Sequence, residues 1–272
     1  MKVYLLSTIV AVALIFSGQS VVIAAEQTSQ VTDELKELVA KVQAKLKAGE
    51  RSEAQLAEEL KAFDAILAKH KDEKTDEVAQ VLFMKALLYI RVLNNEEKAK
   101  QLIEQLKKDF PDSKAVTRVK KQEEAERIQR SLAEGTKFPD FDEKDIQGKP
   151  FNLAACKGKV VLIDFWATWC GPCIAELPNV LAAYEKHHPA GFEILGISLD
   201  TDKARLEQFV AAKKMTWQQF FDGKGWENKL AEKYGVNSIP ATYLLDGEGK
   251  IIGKNLRGPA LEAAVAKAMA KK

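Results

Sequence analysis

Residues 160–178 read VVLIDFWATWCGPCIAELP, and the fold of the C-terminal half turns on them. The stretch opens on a run that is apolar except for Asp164, which suits a strand covered on both faces. Cys170 and Cys173 follow, separated only by Gly171 and Pro172. A pair this close encloses almost no loop, so as a staple it would restrict the unfolded chain very little. A zinc site would need Cys156 and one of His70, His187 or His188 as well, because no second Cys-x-x-Cys exists. Electron exchange suits the pair better, and no metal or other cofactor is expected. Cys170 ends the strand and opens a helix, where unpaired amides and the helix dipole favour thiolate over thiol. Cys173, one turn further in, is within reach of a disulfide and is expected to be the more shielded. Exchange would run by attack of Cys170 on a disulfide, a mixed disulfide, and resolution by Cys173. Pro172 stiffens the turn without losing a needed amide, and Gly171 is expected to let the backbone bend. Pro178 removes one bond inside the helix and should kink it.

Downstream of this stretch, strands alternate with helices. The helix should run to about residue 187, followed by a strand over 192–199, a helix over 202–213, a short strand at 217–221 and a helix over 226–234. ATYLLD and IIGKNL, joined by the turn DGEGK, read as a closing hairpin, and residues 259–271 as a last helix. Upstream, residues 140–153 read as a hairpin turning at Gly148. A central mixed sheet flanked by helices follows.

Residues 32–133 are different in kind. They are rich in Ala, Lys, Glu, Leu and Gln, with Gly49 and Pro111 as the only glycine and proline. Apolar residues recur at spacings of three and four, as in Leu35, Leu38, Val42, Leu46 and in Leu56, Leu60, Phe63, Leu67. About five amphipathic helices result, with 33–70 and 75–110 as two successive hairpins. They resemble tetratricopeptide units, although a helical bundle accounts for them equally well. The domain reading is therefore a leader at 1–25, an all-α helical-hairpin domain at 26–133, a linker at 134–139 around Gly135 and Pro139, and an α/β domain at 140–272.

The leader begins with Lys2, continues through an apolar run from Val3 to Phe16, and reaches small residues at Ala24 and Ala25 after a polar break. This is the order of a secretory signal. The alternative is an uncleaved anchor, but Val3 to Phe16 at ~1.5 Å per residue covers only about two-thirds of a ~30 Å hydrocarbon core. Both readings export the rest of the chain to a periplasmic or other extracytoplasmic space, either freed or anchored by its N-terminus. A formal charge of +2, from 41 basic and 39 acidic residues, supplies no field for nucleic acid.

DFWATWCGPC with Pro178, followed by VNSIPATYLLDGEGKII, resembles thioredoxin. The exported start, together with GKPFNLAACKGKVVLIDFWATWCGPCIAELP and GFEILGISLD, resembles more narrowly the extracytoplasmic thioredoxin-like reductases of the TlpA/ResA type. The likeness covers residues 137–272 and leaves out the helical half. It implies an α/β thioredoxin-like fold and a protein-disulfide reductase with Cys170 and Cys173 as its catalytic pair. By the same resemblance, Asp164 is the buried carboxylate that helps deprotonate the second cysteine, and Glu176 the glutamate that follows the motif. Pro240 is the family's cis proline, which turns the backbone of Ile239 toward an extended substrate. Trp169, Gly171 and Pro172 complete the expected contact surface, while Trp166 reads as core. The implied partners are protein disulfides or thiols and a membrane thiol donor, and a partner on the helical domain is a further expectation. Two alternatives stand beside this reading. One is a scaffold whose redox pair acts as a switch. The other is a peroxiredoxin, whose Pro-x-x-x-Thr-x-x-Cys pattern is absent because Ile163 and Ala167 occupy its proline and threonine positions. Cys156, to which the resemblance gives no role, reads as a partly buried structural thiol. His187 and His188 read as a helix-end pair.

Overall fold

The computed structural model describes residues 29–271, so the expected leader lies outside the described residues. The chain divides into two compact units between Glu123 and Glu124.

The first unit is built from α1 (Gln30–Lys47), α2 (Ala57–Lys69), α3 (Asp76–Arg91), α4 (Glu96–Asp109) and the start of α5 (Lys114–Ser131). Local chemistry sets the ends of these helices. Ser29, Thr75 and Asn95 each accept a hydrogen bond from an amide in the following first turn, at Thr32, Val78 and Lys98. The apolar stripes converge on Leu56, Phe63, Val81, Leu82, Leu106 and Val116, all fully buried. His70, also buried, ends α2, with Nδ1 2.7 Å from a Glu73 carboxylate oxygen and Nε2 3.3 Å from Glu34.

The second unit holds a five-stranded sheet in the order β5-β4-β3-β6-β7, preceded by the separate hairpin of β1 (Asp142–Lys144) and β2 (Pro150–Asn152). β3 (Val160–Trp166) is central. It runs parallel to β4 (Phe192–Ser198) and antiparallel to β6 (Ala241–Leu245). β5 (Gln218–Phe221) and β7 (Ile251–Lys254) form the edges. Every residue of β3 is buried, as its unbroken apolar run requires.

Alternation along β3 separates the two faces. Asp164 and Trp166 line one small cavity together with residues of α6 (Gly171–His187), α7 (Lys203–Ala212) and α9 (Pro259–Met269). Phe165 points the other way, into an aromatic cluster with Tyr234 and Tyr243, which Phe138 and Phe141 extend. Residue 138 of the expected linker is thus part of this unit's core, and the end of α5 joins the same side, where Gln129 Nε2 donates to the Tyr234 carbonyl at 2.7 Å. The helix expected over 226–234 is a 3-10 turn at Gly225–Glu227 followed by a short α8 (Lys229–Lys233). The buried Asn228 interrupts it, its side chain capping the Leu230 and Ala231 amides while its Nδ2 donates to the Ser198 carbonyl.

Candidate active site

β3 ends at Trp166, and the next three residues carry the chain to the cysteines. Their path is fastened to the end of β4. The buried Asp200 accepts hydrogen bonds from Thr168 N at 3.0 Å, Thr168 Oγ1 at 2.6 Å and Ser198 Oγ at 2.8 Å, while Leu199 N donates to the Trp166 carbonyl at 2.9 Å. Cys170 is then the N-cap of α6 in extended backbone, and its Sγ accepts the Cys173 amide at 3.2 Å. Cys170 and Cys173 are joined as a disulfide with an S–S distance of 2.04 Å.

Two expectations are corrected. Cys173 is not the more shielded residue, since Cys170 is 5% exposed and Cys173 7%. Both members of the pair are buried to nearly the same degree. Gly171 has no left-handed backbone, and a methyl placed on it would meet only open space. Glycine is therefore not needed at this position to bend the chain. α6 continues through Pro178 to His187.

Beneath the pair, Asp164, Cys173, Glu176, Pro240, Thr242 and Arg257 line the cavity on the α6 face. Burial pushes the Asp164 carboxyl up to about 7; the Arg257 guanidinium opposes that rise and the Glu176 charge adds to it. Glu176 Oε1 accepts the Gly258 amide at 2.6 Å, and Oε2 accepts Asn179 Nδ2 at 3.1 Å. The Ile239–Pro240 bond is cis. In the sheet, Gln219, Gly196, Asp164 and Thr242 stand in one register row. Gln219 folds over Gly196 and accepts Trp166 Nε1 at 3.0 Å, which fixes the buried indole at the strand end.

Trp169 is 46% exposed beside Cys170, and Trp226 is 38% exposed with its ring centroid 5.9 Å from that of Trp169. The two indoles form an apolar surface at the rim. Sequence reasoning named Trp169 but missed Trp226, Asp200 and Arg257, whose relation to the cysteines depends on pairings between distant segments. The remaining candidates lie apart from this chemistry. Cys156 is buried and its thiol is pushed up to about 11 by desolvation. His187 Nε2 lies 3.0 Å from Glu262, and His188 Nδ1 is 3.0 Å from the Phe192 carbonyl.

Residues 135–254 match the AhpC/TSA family. The thiol-disulfide oxidoreductase ResA of Geobacillus thermodenitrificans is 32% identical over 121 residues, which are 44% of this chain and 68% of that protein. The chain belongs to the ResA-like thiol-disulfide oxidoreductases. ResA of Bacillus subtilis is 30% identical, over 45% of this chain and 66% of its own. Among solved structures, the thioredoxin domain of a thiol-disulfide oxidoreductase from Bacteroides vulgatus covers 50% of the chain and 98% of that domain, at 35% identity and a TM-score of 0.47. A thiol:disulfide interchange protein from Bacteroides sp. covers 52% of the chain and 92% of its own, at 33% identity and a TM-score of 0.46. The thioredoxin-like fold of this oxidoreductase is read from its own strand order, register and cysteine-capped helix. Helices α1–α5 precede the matched residues.

Proposed function

We propose that the oxidoreductase reduces disulfides of exported proteins, with Cys170 as attacking sulfur, Cys173 as resolving sulfur and Asp164 as the base that takes the Cys173 proton. The carrying observation is that Asp164, a carboxyl lifted to about 7, lines the same small cavity as Cys173. A base of that strength is half ionised near neutral pH, where it can both accept and return a proton. Cys170 at the helix N-terminus is the thiolate former of the pair. In the reductive half-cycle its thiolate attacks a client disulfide and expels one client thiolate. Cys173 gives its proton to Asp164 and attacks Cys170, releasing the second client thiolate and leaving the Cys170–Cys173 disulfide. The client gains two electrons and the pair loses two.

Trp169, Gly171, Pro172, Ile239 and Pro240 serve as the contact surface in this reading, with Trp226 added to it. The indole pair suits a client with a large apolar side chain near its cysteine. Export is supported by the order of residues 1–25, and among the described residues no helix is long and apolar enough to cross a membrane. In an oxidising compartment the pair needs a thiol donor, and a membrane thiol protein fits that need. Equilibration of the purified protein with glutathione buffers tests the direction. A reductant keeps its disulfide until the buffer is strongly reducing, whereas a pair reduced by weakly reducing mixtures would make the protein an oxidant.

A further inference from the structure

Asn255, Leu256, Arg257 and Gly258 link β7 to α9, and Arg257 and Gly258 lie outside every motif the sequence presents. Their hydrogen bonds go to the active site. Arg257 Nη2 donates to the Pro240 carbonyl at 2.7 Å, and Nη1 donates to Thr242 Oγ1 at 2.9 Å and to the Leu256 carbonyl at 2.6 Å. The next residue, Gly258, donates its amide to Glu176 on α6. The link thus ties the proline segment to the cysteine helix from below. Thr242 is the register partner of Asp164, which brings the guanidinium to the carboxylate's side of the sheet.

We propose that Arg257 is a positioning residue for disulfide exchange, fixing the Pro240 carbonyl beside the cysteine pair and supplying the positive charge that holds Asp164 ionised when Cys173 must lose its proton. This rests on Asp164 acting as the base. The charged or titratable groups lining the cavity are Asp164 from β3, Cys173 in its reduced form and Glu176 from α6, and Arg257 from the link. β6 contributes the uncharged Thr242, α7 contributes Phe209 and α9 contributes Leu261. Arg257 is therefore the only positive group on that lining. Its charge works against both the burial of Asp164 and the like charge of Glu176. A planar guanidinium that bridges two oxygens on one segment is a function lysine cannot copy with a single ammonium.

An opposite charge at short range typically lowers a carboxyl by about 1–3 units. Without it, the ionised fraction of Asp164 at pH 7 falls from about half to a tenth or less, and resolution slows by about fivefold or more. The test uses the full-length reduced protein and the aromatic disulfide DTNB, which releases one coloured thiolate when Cys170 attacks and a second when Cys173 resolves. The rate of the second phase is followed from pH 5 to 9, and tryptophan fluorescence checks that each variant is folded. Wild type should show a rate rising with pH, with a midpoint near the Asp164 value of about 7. Arg257→Gln should move that midpoint up by about one unit or more. Arg257→Lys should leave the midpoint nearly unmoved while raising KM for insulin several-fold. An unmoved midpoint in Arg257→Gln overturns the inference. If that variant does not fold, a wild-type KM in Arg257→Lys overturns it instead. Asp164→Asn separates the two levels. Should it keep the wild-type profile, the base assignment falls; should it lose the profile while Arg257→Gln leaves it in place, only the role of Arg257 falls.

Discussion

Replacing Asp164 by asparagine should stabilise the oxidised protein, and only above a defined pH. The carboxyl titrates at 3.8 in an ordinary setting and at about 7 in the folded chain, raised first by burial. A raised acid inverts the usual carboxylate behaviour. Well below pH 3.8 both states hold the proton and the group is neutral toward folding. As pH rises past 3.8 the unfolded chain ionises while the folded one stays protonated, so stability falls until the folded carboxyl also ionises near 7. A shift of about three units at ~1.4 kcal/mol each gives a penalty of about 4 kcal/mol at pH 8 and above. At about 2–4 °C per kcal/mol for a unit of this size, Asp164→Asn should melt roughly 8–16 °C higher than wild type at pH 8 and with little difference at pH 4. All four tryptophans, Trp166, Trp169, Trp217 and Trp226, lie in the second unit, so intrinsic fluorescence follows that unit alone. Melts of oxidised wild type and variant from pH 4 to 9 provide the assay. A gap that stays constant across the range, or a wild type more stable at pH 8, would refute the reasoning.

Other sites give sharper local outcomes. A methyl at residue 196 would lie 2.1 Å from Gln219 Oε1, so Gly196→Ala must displace that buried amide and its bond to Trp166; a loss of about 1–3 kcal/mol is expected in denaturant titration, with a shifted Trp emission. Trp226→Ala should raise KM for insulin several-fold while leaving the rate with DTNB within about twofold, because the rim surface meets polypeptide clients and not the small disulfide. In the helical unit, the pKa of His70 is raised by its hydrogen bond to Glu73, opposed by burial and helped by Glu34. The stabilisation is fully present below the ordinary value of 6.5 and is lost as pH rises through the higher folded value. His70→Gln should therefore destabilise the helical unit, followed by far-UV circular dichroism, much more at pH 5.5 than at pH 8.5.

What the sequence displays is what local pattern can encode. The apolar run of β3 announces a buried central strand, and a cysteine pair opening a helix announces a thiolate position. Pro240 stands just before β6, where a residue without an amide proton costs the strand no ladder hydrogen bond. About five N-terminal helices follow from apolar spacing, and the structure shows Ser29, Thr75 and Asn95 capping three of them. The parts that stay hidden are set by register. Nothing near Arg257 in sequence signals Pro240, seventeen residues before it, since the contact needs β6 and β7 to fold back on each other. Asp200 fastens the loop before Cys170 only because β3 and β4 end level with each other. Trp226 meets Trp169 across a similar gap, from a 3-10 turn that reads as helix because the cap at Asn228 interrupts an otherwise helical pattern.

The thiolate at residue 170 is best tested by alkylation of the fully reduced protein with iodoacetamide across pH 4 to 10, with the modified cysteine identified by mass spectrometry. Cys170 should react first, with a midpoint well below the ~8.5 of a free cysteine, while Cys156, buried and pushed up to about 11, stays unmodified. A Cys170 midpoint at or above that of free cysteine, or faster modification of Cys173, would contradict the account.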